Sequence, residues 1–370
     1  MRFPEFSGEW KCTTIGNIGD IKNGPFGSVL HAEDYVENGI PIVTTEHFKT
    51  GLMPSDKFGI PQVSNEDYIR LKGYRLETND IVFSRVGSVD INAHVGIEQN
   101  GWLFSGRVLR VRPKYDIDSL FLHYALSTEA VKRDIRNRAV GQTMPSINTP
   151  ILSSTTIQLP KDLFEQKKVA HFLRLLDERI ITQNKIIEKL QSLIKGIIET
   201  VISSQKPNTF IKNCLECDSS TLQESQVAEN GAYPVYGATG ISGYTETADV
   251  NGEAILITKD GSGVGTVKFA DGEYSYIGTL NRLIAREGYC LKYLYFALQG
   301  FCFEPYKTGM AIPHIYFKDY GKAKIFCPTI EEQSIIAKSL SVIENKISVE
   351  KQILFCNQLQ KSYLLSQMLI

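Results

Sequence analysis

An internal repeat, in which the second half of the chain resembles the first at an offset of roughly 170 residues, limits the possible folds more than any other feature. The clearest pair is LPKDLFEQKKVAHFLRLLDERI (Leu159 to Ile180) against CPTIEEQSIIAKSLSVIENKI (Cys327 to Ile347). In both, a proline is followed by Glu-Gln, then by an aliphatic residue with alanine and a long helical pattern. The fold must therefore contain the same structural unit twice.

Four further pairs recur in the same order, and together they divide each copy into two parts. They are NGIPIV with NGAYPVY (from Asn38 and Asn230), IVFSRVGS with ILITKDGS (from Ile81 and Ile255), HYAL with YFAL (from His123 and Tyr295), and GQTMPSI with GMAIPHI (from Gly141 and Gly309). The boundaries that follow are residues 1–160 for the first domain, 161–206 for a central helix, 207–328 for the second domain and 329–370 for a C-terminal helix.

The first part of each copy has the pattern of a mostly β domain. Short β-branched and aromatic runs such as DIVFSRVGS and EAILITKD are broken by Gly, Asn and Asp. A helix is expected near SLFLHYALSTEAVKRDIRNR. The second part of each copy predicts one long helix. The predicted fold class is therefore α+β, with two pseudo-repeated mostly β domains separated by two long antiparallel helices that form a coiled coil.

Both long helices are expected to begin just after a proline, and both carry a heptad seam. The seam residues are Val169, Phe172, Leu176, Ile180, Gln183 and Ile187 in the first helix, continuing through Leu190, Ile194, Ile197 and Val201, and Ile336, Leu340, Ile343, Ile347, Glu350 and Leu354 in the second. Beyond Leu354 the apolar pattern needs a shift of two residues to realign. The expected partner of one seam is the other.

An antiparallel pairing would relate the two copies by a pseudo-two-fold axis. Forty helical residues span about 60 Å, so the β domains would lie at opposite ends of a rod of that length. Gln183 and Glu350, the polar seam positions, would then meet near mid-helix, and we hypothesise that they form a polar layer that fixes the register. The alternative, two separate core helices in independent domains, leaves long apolar stripes uncovered.

Composition excludes several classes of protein. The chain has no run of about eighteen apolar residues and no apolar stretch at its N-terminus, which predicts a cytoplasmic protein without a membrane span. Seven scattered cysteines fit a reducing compartment. Forty basic residues nearly balance forty-one acidic ones. Between Phe104 and Pro145, eight Lys or Arg face four acids, which predicts either a basic face or an ordinary solvated surface.

The stretch KDGSGVGTV (Lys259 to Val267) spaces its glycines like a nucleotide-binding loop. Such a loop requires a following helix whose N-terminus holds the ligand. Here the β-patterned TVKFADGEYSYIG follows, and the first-copy counterpart SRVGSVDIN lacks the glycine spacing. The pattern favours a β-hairpin loop that displays Lys259 and Ser262.

Motifs for chemistry on DNA are also missing. The sequence contains no Asn/Asp-Pro-Pro-aromatic motif, no Walker lysine and no nuclease-type acidic cluster. The lone C-x-x-C at Cys214 to Cys217 lacks a second pair, which favours structural thiols over a metal site. Gly-containing loops with polar tips occur in both copies and favour recognition. Two alternatives remain: an independent DNA methyltransferase or nuclease, and a coiled-coil scaffold without a DNA role.

Taken together, these marks resemble the DNA-specificity subunits of type I restriction-modification systems. The residues that carry the resemblance are IKNGPFGS, YPVYGATGISGY, the G-x-x-x-P element of each copy, and the LP...EQ..VA and CP..EEQ..IA starts of the helices. The resemblance covers essentially the whole chain. It implies that each β domain recognises one half of a split double-stranded DNA target and that the helices set the gap. A rod of about 60 Å is compatible with half-sites roughly 34 to 36 Å apart.

The same resemblance implies partners and contact residues. Two methyltransferase subunits would dock on the helices, and restriction subunits would join them. S-adenosylmethionine, ATP and magnesium would bind to those partners, and this chain would hold no cofactor. The DNA-contact candidates carried over are Lys22, Asn23, Arg85, Ser88, Gln142 and Thr143 in the first copy, and Tyr236, Thr239, Lys259, Ser262, Lys307 and His314 in the second. Different loop sequences imply an asymmetric target.

Overall fold

The protein is described by a computed structural model that covers residues 2–25, 30–310 and 312–369. It divides into two compact units, Met1–Thr182 with Leu354–Ile370 (unit 1) and Gln183–Ile353 (unit 2). Each long helix contributes one part to each unit. The end of the IKNGPFGS motif, from Phe26 to Ser28, lies outside the described residues.

Among the residues that the structure describes, unit 1 contains ten strands, five short α-helices and the beginning of the first long helix. The strands are β1 Lys11–Thr14, β2 Gly19–Asn23, β3 Tyr35–Val36, β4 Ile40–Val43, β5 Gln62–Val63, β6 Ile81–Ser84, β7 Asn92–His94, β8 Leu103–Phe104, β9 Val108–Pro113 and β10 Thr156–Leu159. The helices are α1 Ile15–Ile18, α2 Asn65–Arg70, α3 Ser119–Leu126, α4 Glu129–Arg138, α5 Thr149–Ser153 and α6 Leu163–Ile197, which crosses into unit 2.

Unit 2 repeats most of this element order. Its strands are β11 Thr209–Phe210, β12 Leu215–Ser219, β13 Tyr233–Tyr236, β14 Ile241–Thr245, β15 Val250–Asn251, β16 Ala254–Thr258, β17 Val267–Ala270, β18 Glu273–Tyr276, β19 Leu280–Ala285 and β20 Lys324–Ile325. Its helices are α7 Ile211–Cys214, α8 Leu291–Gln299, α9 Phe317–Tyr320 and the first part of α10 Ile330–Met368.

The two units share a sheet topology. The main sheet has the order β2-β9-β6-β7 in unit 1 and β12-β19-β16-β17 in unit 2. A second sheet in each unit contains one parallel pair, β4 with β8 and β13 with β18. The first strand of each parallel pair lies in a matched segment of the repeat, β4 in NGIPIV and β13 in NGAYPVY. The predicted α+β class, with two repeated sheet-rich domains and two long helices, is confirmed.

Alternation along the central strand of the main sheet creates two cores in unit 1. Leu109 and Val111 of β9 lie in the cluster that also contains α3 and the start of α6. Val108 points to the other face and packs with Val82 and Phe104 towards the second sheet. Because successive side chains of a strand point to opposite faces, one strand can hold the helical layer and the second sheet together.

The segment expected to hold one helix near SLFLHYALSTEAVKRDIRNR contains two. α3 ends at Leu126 and α4 begins at Glu129. Thr128 between them is extended, with φ −67° and ψ 146°, and its hydroxyl donates to the carbonyl of Ala125 at 2.9 Å. A short polar side chain that bonds to the preceding turn competes with helix propagation, which accounts for the break.

The Glu-Gln motif anchors each long helix to its own domain. Gln166 donates to the carbonyl of Pro160 at 2.9 Å and accepts from the backbone N–H of Asp118 at 2.9 Å. Gln333 does the same in unit 2, donating to Pro328 at 2.9 Å and accepting from the N–H of Cys290 at 3.0 Å. Asp118 and Cys290 are the N-cap residues of α3 and α8. Each glutamine thus joins the start of a long helix to the start of a domain helix.

Further along each long helix, a carboxylate makes a second contact between the helix and its domain. Asp177 accepts from the hydroxyl of Tyr124 at 2.7 Å and pairs with Lys361 at 2.5 Å. Glu344 accepts from the hydroxyl of Tyr295 at 2.7 Å in unit 2. Hydrogen bonds to a carboxylate are stronger than neutral ones, so both contacts stabilise the packing of domain on helix.

Within each unit the two long helices run antiparallel. In unit 1, Val169 and Leu173 of α6 share a core cluster with Leu364 and Met368 of α10. In unit 2, Ile198 near the end of the first long helix shares a cluster with Leu340 near the start of α10. The start of the first long helix thus packs against the end of α10, and the end of the first long helix packs against the start of α10.

The buried seam differs from the expected one at three places. Leu173 is fully buried, whereas Phe172 packs edge-on against Phe3 at 6.0 Å between ring centroids. Near the other end, Ile198 and Ile202 are buried in place of Ile197 and Val201. Residues Ile198–Ser203 form a π-helical turn, which adds a residue to the turn and so rotates the buried face. In α10, Ala337 is buried and Ile336 only half-buried.

The expected two-residue shift after Leu354 is wrong. The inward positions continue in alternating steps of three and four residues through Leu340, Ile343, Ile347, Glu350, Leu354, Asn357, Lys361, Leu364 and Met368, all buried or half-buried. The shift arose because only apolar residues were counted. Asn357 and Lys361 occupy seam positions, and Lys361 is neutralised there by Asp177.

The structure brings the two polar seam residues of unit 2 together. Gln183 donates to the carboxylate of Glu350, and its amide nitrogen lies 3.3 Å from the backbone carbonyl of the same residue. Lys346 also pairs with Glu350. These hydrogen bonds, from Lys346 first and Gln183 second, lower the pKa of Glu350. The polar layer therefore exists, and its role in register stays a prediction.

Replacing Gln183 and Glu350 together with leucine is expected to permit additional helix registers. A buried polar pair penalises every register that separates its members, whereas leucine packs in several. Cysteine pairs introduced one heptad out of register should then cross-link in the double variant and not in the parent. A double variant that is only more stable, with unchanged cross-linking, would rule out the register role.

Within the described ranges, no helix combines the length and the apolar character needed to cross a membrane.

Candidate nucleic-acid interface

Two loops of unit 1 are joined at one end of its main sheet. One loop, 85–91, connects β6 and β7, and the other, 140–146, connects α4 and α5; we call them the first loop pair. The carbonyl of Arg85 accepts from the N–H of Ile147 at 2.9 Å, and the N–H of Gly87 donates to Pro145 at 2.8 Å. Val140 and Ser146 exchange two backbone hydrogen bonds, at 2.9 and 2.8 Å, and close the second loop into a hairpin.

Unit 2 holds its corresponding loops, 259–266 and 308–314, by the same backbone bonds; we call them the second loop pair, without Ala311, which is not described. The carbonyl of Lys259 accepts from the N–H of Ile315 at 2.9 Å, and the N–H of Gly261 donates to Pro313 at 3.0 Å. Thr308 and His314 exchange hydrogen bonds at 2.9 and 2.8 Å. The two loop pairs therefore share one scaffold while their side chains differ.

The β-hairpin predicted for KDGSGVGTV is confirmed. The stretch joins β16 to β17, which pair antiparallel with Ile257 opposite Val267. No helix begins in it. The loop is a β-hairpin connection, and it lacks the helix N-terminus that would hold a nucleotide phosphate.

The glycine of G-x-x-x-P is required by the geometry of each hairpin. Gly141 and Gly309 have φ of +103° and +90°. A Cβ at these positions would lie 2.7 Å from the carbonyl oxygen of Met144 and 2.4 Å from that of Ile312. Both the left-handed backbone and the close approach exclude a side chain.

The first loop pair brings four of the predicted contact residues together. Arg85 is half-buried, and its guanidinium donates to the carbonyl of Gly106 at 3.0 Å. Ser88 is exposed in the same loop, and its carbonyl accepts from the hydroxyl of Ser84. Gln142 and Thr143 are exposed at the hairpin tip. The surface thus presents one cationic group with hydroxyl and amide groups around it.

The other two candidates of the first copy lie at the same end of the sheet. Asn23 ends β2 and is paired with Leu109 of β9, whose first residue, Val108, is opposite the last residue of β6. The side-chain oxygen of Asn23 has no hydrogen-bond partner among the described residues. Lys22 is turned over the ring of Tyr74, 5.1 Å from its centroid, so its charge is partly engaged within the domain.

The second loop pair contains Lys259, Ser262 and His314, and Lys307 directly precedes its hairpin. The ammonium of Lys259 lies 3.5 Å from the hydroxyl of Ser219, at the end of β12, and Ser262 is exposed. Lys307 forms an ion pair with Glu304 at 2.5 Å. His314 packs edge-on against Tyr316 with centroids 5.0 Å apart. Two cations, a hydroxyl and an imidazole therefore meet at this end of the sheet.

Tyr236 is the last residue of β13, and Thr239 lies on the turn between β13 and β14. The carbonyl of Tyr236 accepts from the N–H of Ile277 at 3.0 Å, and Thr239 is exposed. Sequence reasoning missed the residue that supports this turn. The ammonium of Lys268 donates to the carbonyl of Ala238 at 2.8 Å, and burial lowers its pKa. No sequence signal identifies Lys268, because it lies on a different strand from the turn.

Ser219 was also missed, although a signal exists. It occupies in β12 the position that Asn23 occupies in β2, since both are the last paired residues against the equivalent strands β19 and β9. An alignment of the two strands in the repeat would have identified it. The segments IKN (21–23) and CDS (217–219) share no identical residue, so a comparison of the two copies by residue identity does not align them.

Half of the cationic side chains between Phe104 and Pro145 are engaged in ion pairs within the domain. The four pairings are Arg110 with Asp20, Arg112 with Glu77 and Asp80, Arg136 with Asp90 and Glu129, and Arg138 with Asp134. Lys114 donates to the carbonyl of Asn17 at 2.6 Å. Three of these arginines pair with acids outside the segment, Asp20, Glu77, Asp80 and Asp90, and counting charges along the segment does not show these pairs.

The C-x-x-C thiols lie in separate surroundings. Cys214 is buried and donates to the carbonyl of Phe210 at 3.2 Å, and contact with Cys327 together with burial raises its pKa. Burial raises the pKa of Cys217 to about 11. Among the residues that the structure describes, no three His, Cys, Asp or Glu side chains are grouped to hold a metal ion.

The sequence of both copies matches a known protein family. A family model described as the type I restriction modification DNA specificity domain matches residues 7–192 and 215–355, which together include both loop pairs. The chain belongs to this family. The two matched ranges correspond to the two copies of the repeat.

Two curated relatives of the chain are named as specificity subunits of type I restriction enzymes. The putative type I restriction enzyme MjaX specificity subunit of Methanocaldococcus jannaschii is 32% identical over 208 residues, 54% of this chain and 47% of that protein. The MjaVIII specificity subunit of the same organism is 25% identical over 209 residues, again 54% and 47%. The chain spans about half the length of these relatives in the matched regions.

Solved structures share the fold over the full length. An S subunit of a type I restriction-modification system from M. genitalium superposes with a TM-score of 0.69 at 16% identity, covering 100% of this chain and 99% of the other. A chain from a structure described as showing complex assembly and conformational transition of the type I R-M system gives 0.55 at 15% identity, with 98% of both chains covered. At these identities the likeness concerns the fold.

Proposed function

We propose that this member of the specificity family recognises a bipartite double-stranded DNA target, one half-site with each loop pair. The single observation that supports this is the repetition of the loop scaffold. Four equivalent backbone hydrogen bonds hold each pair, and a fifth joins each pair to a third loop, from the N–H of Arg85 to Arg107 and from the N–H of Lys259 to Thr279. A scaffold kept twice with different tips is suited to binding two different short sequences.

The chemistry of the tips fits a DNA groove. Lys and Arg bind phosphates or guanine edges, and Gln, Ser and Thr hydrogen-bond to base edges. The first loop pair offers Arg85, Gln142 and Thr143, whereas the second offers Lys259, Ser262 and His314. Because the donors and acceptors differ, the two half-sites should differ, and the target should be asymmetric.

We assign the reactions on DNA to partner subunits. Methyltransferase subunits would bring S-adenosylmethionine, and restriction subunits would bring ATP with magnesium. The described residues offer loops that display side chains for binding, and the strand-loop-strand geometry at Lys259 is unsuited to a nucleotide cofactor. This chain would choose the DNA sequence at which the complex acts.

The long helices provide surfaces for those partners. In unit 2, Ile335, Val342 and Val349 of α10 are spaced seven residues apart and are 64%, 69% and 47% exposed. In unit 1, Phe355, Leu359 and Tyr363 of the same helix are also exposed. The first three recur at one heptad position and the second three recur every four residues, and an exposed apolar stripe on a helix fits the packing of a further helix. We assign these faces to the two methyltransferase subunits.

A domain exchange tests the proposed function. Residues 1–160 would be replaced with the corresponding domain of another family member, and methylated adenines would be mapped in cells that also make the methyltransferase subunits. We expect one half of the methylated sequence to change while the other half and the gap are kept. The reciprocal exchange of residues 207–328 should change the other half only.

Three outcomes would count against the proposal. A methylation pattern that does not depend on this chain would favour a scaffold, and a change in both halves would exclude independent recognition. Saturable binding of labelled S-adenosylmethionine to the purified chain would favour an independent methyltransferase instead.

The affinity for DNA should also fall steeply as the salt concentration rises, since contacts with phosphates release counterions.

A further inference from the structure

The tip of each hairpin carries an exposed apolar side chain at the same position. Met144 precedes Pro145 in the first loop pair, and Ile312 precedes Pro313 in the second. Their side chains are 64% and 66% exposed. The tips otherwise differ, with Gln142 in one hairpin where the other has Met310. An apolar group is thus kept at this position while its neighbours change.

Neither side chain is part of the core of its own domain. Met144 and Ile312 belong to none of the core clusters formed by the described residues, so their exposed surface is not offset by packing. The backbone at each is nevertheless fixed. A following proline restricts the residue before it to extended conformations, and the hairpin bonds hold both ends of the loop. Each is thus an apolar group that a closed hairpin exposes to solvent.

The position of the two side chains beside polar groups favours a base edge in the major groove of DNA as their binding partner. Each lies on a closed hairpin beside the polar groups of its loop pair, and a two-stranded ribbon can enter the major groove of B-DNA. In that groove the base edges present hydrogen-bonding groups and one apolar group, the C5-methyl of thymine. A tip that mixes amide or hydroxyl groups with one apolar side chain matches an edge that contains thymine.

We propose that Met144 and Ile312 each contact the methyl group of a thymine, one in each half-site of the target. This inference rests on the proposed function and adds a base preference to it. It predicts that each half-site contains a thymine whose methyl group contributes to affinity, and that the contribution depends on a single side chain of this chain.

The test removes the methyl group from the DNA and the apolar group from the protein separately. Using the target mapped by methylation, each thymine is replaced in turn by deoxyuridine, and binding is measured with the full chain in complex with its methyltransferase subunits. At one thymine of the first half-site, the replacement should lower the affinity of the complex for DNA about fourfold, the effect of burying about one methyl group. Met144→Ser should bind more weakly and no longer respond to that replacement.

The matching cycle with Ile312→Ser should abolish the response in the other half-site only. Val140→Thr serves as a control, because Val140 is equally exposed in the first hairpin and Thr308 stands at its counterpart; it should keep the response. All three substitutions are at exposed positions, so the fold should be retained, which circular dichroism would verify.

The outcomes separate this inference from the proposed function. If no bipartite target exists, the proposed function itself fails. If a target exists and no thymine responds to deoxyuridine, or if the response persists in Met144→Ser and Ile312→Ser, only the thymine contact is overturned. A side chain that inserted between base pairs would also give affinity without a response to the methyl group, and so belongs to the overturning results.

Discussion

Replacing Gly309 with alanine is expected to lower the affinity for target DNA about 10- to 100-fold while the domain stays folded. The residue has a φ of +90°, and a Cβ would lie 2.4 Å from the carbonyl oxygen of Ile312 and 2.8 Å from the ring nitrogen Nδ1 of His314. A left-handed alanine costs about 1–2 kcal/mol, and the contact with backbone cannot be relieved by a side-chain rotation. The hairpin must therefore open and displace its tip.

The size of the effect follows from the contacts that the hairpin presents. Loss of one base-pair contact typically costs about 1–3 kcal/mol, and displacement of the tip would remove one or two. An electrophoretic mobility shift titration against the mapped target would measure the change.

Gly272→Ala is a matched control for this prediction. Gly272 has a φ of +86° in the same unit, and a Cβ added there would meet no atom of the described residues within 4 Å. The alanine thus introduces similar backbone strain without a clash and should leave DNA affinity unchanged. Equal losses for both variants would show that strain in the domain, and not the hairpin, governs binding.

The second large effect concerns the anchoring glutamines. Gln166→Leu is expected to lower the free energy of unfolding by about 2–4 kcal/mol. Gln166 is 1% exposed, and leucine would leave the N–H of Asp118 and the carbonyl of Pro160 buried without partners. Each unsatisfied buried group costs about 1–3 kcal/mol. Gln333→Leu should have the same effect in unit 2.

Urea denaturation combined with hydrogen exchange would measure both variants. Exchange of the first turn of α3 should accelerate in Gln166→Leu, and that of α8 in Gln333→Leu, because each glutamine serves only its own domain helix. Gln360→Leu, at an exposed position of α10, is the control and should change stability little. Unaltered exchange at α3 in Gln166→Leu would show that the hydrogen bond does not anchor the helix.

The repeat was the strongest signal in the sequence, and it predicted the architecture well. Matched short segments such as NGIPIV and NGAYPVY occupy equivalent strands, each in a parallel pair. Apolar periodicity gave the antiparallel seam but misplaced Phe172, because a helix that touches both its partner and a domain has two buried faces. The seam near Asn357 was misjudged for the opposite reason, since a polar residue can occupy an inward position.

The candidate interface was predictable only where the repeat extended into the loops. Arg85, Ser88, Gln142 and Thr143 come together as expected, because the aligned segments IVFSRVGS and GQTMPSI meet at one sheet end. Lys268 was not predictable, since its contact with the turn at Ala238 joins residues that no local pattern relates. Lys22 was chosen as a cationic contact, yet it packs on Tyr74, a residue far from it in sequence.

The backbone bonding of the hairpins has a consequence for how such a protein can change over time. Val140 with Ser146 and Thr308 with His314 are joined through main-chain atoms, so the tip side chains contribute little to folding. Mutations at the tips can therefore alter the preferred DNA sequence without a loss of stability that selection would remove. Sequence preference and fold stability are thus separable traits, and new specificities can arise by single substitutions in an otherwise unchanged domain.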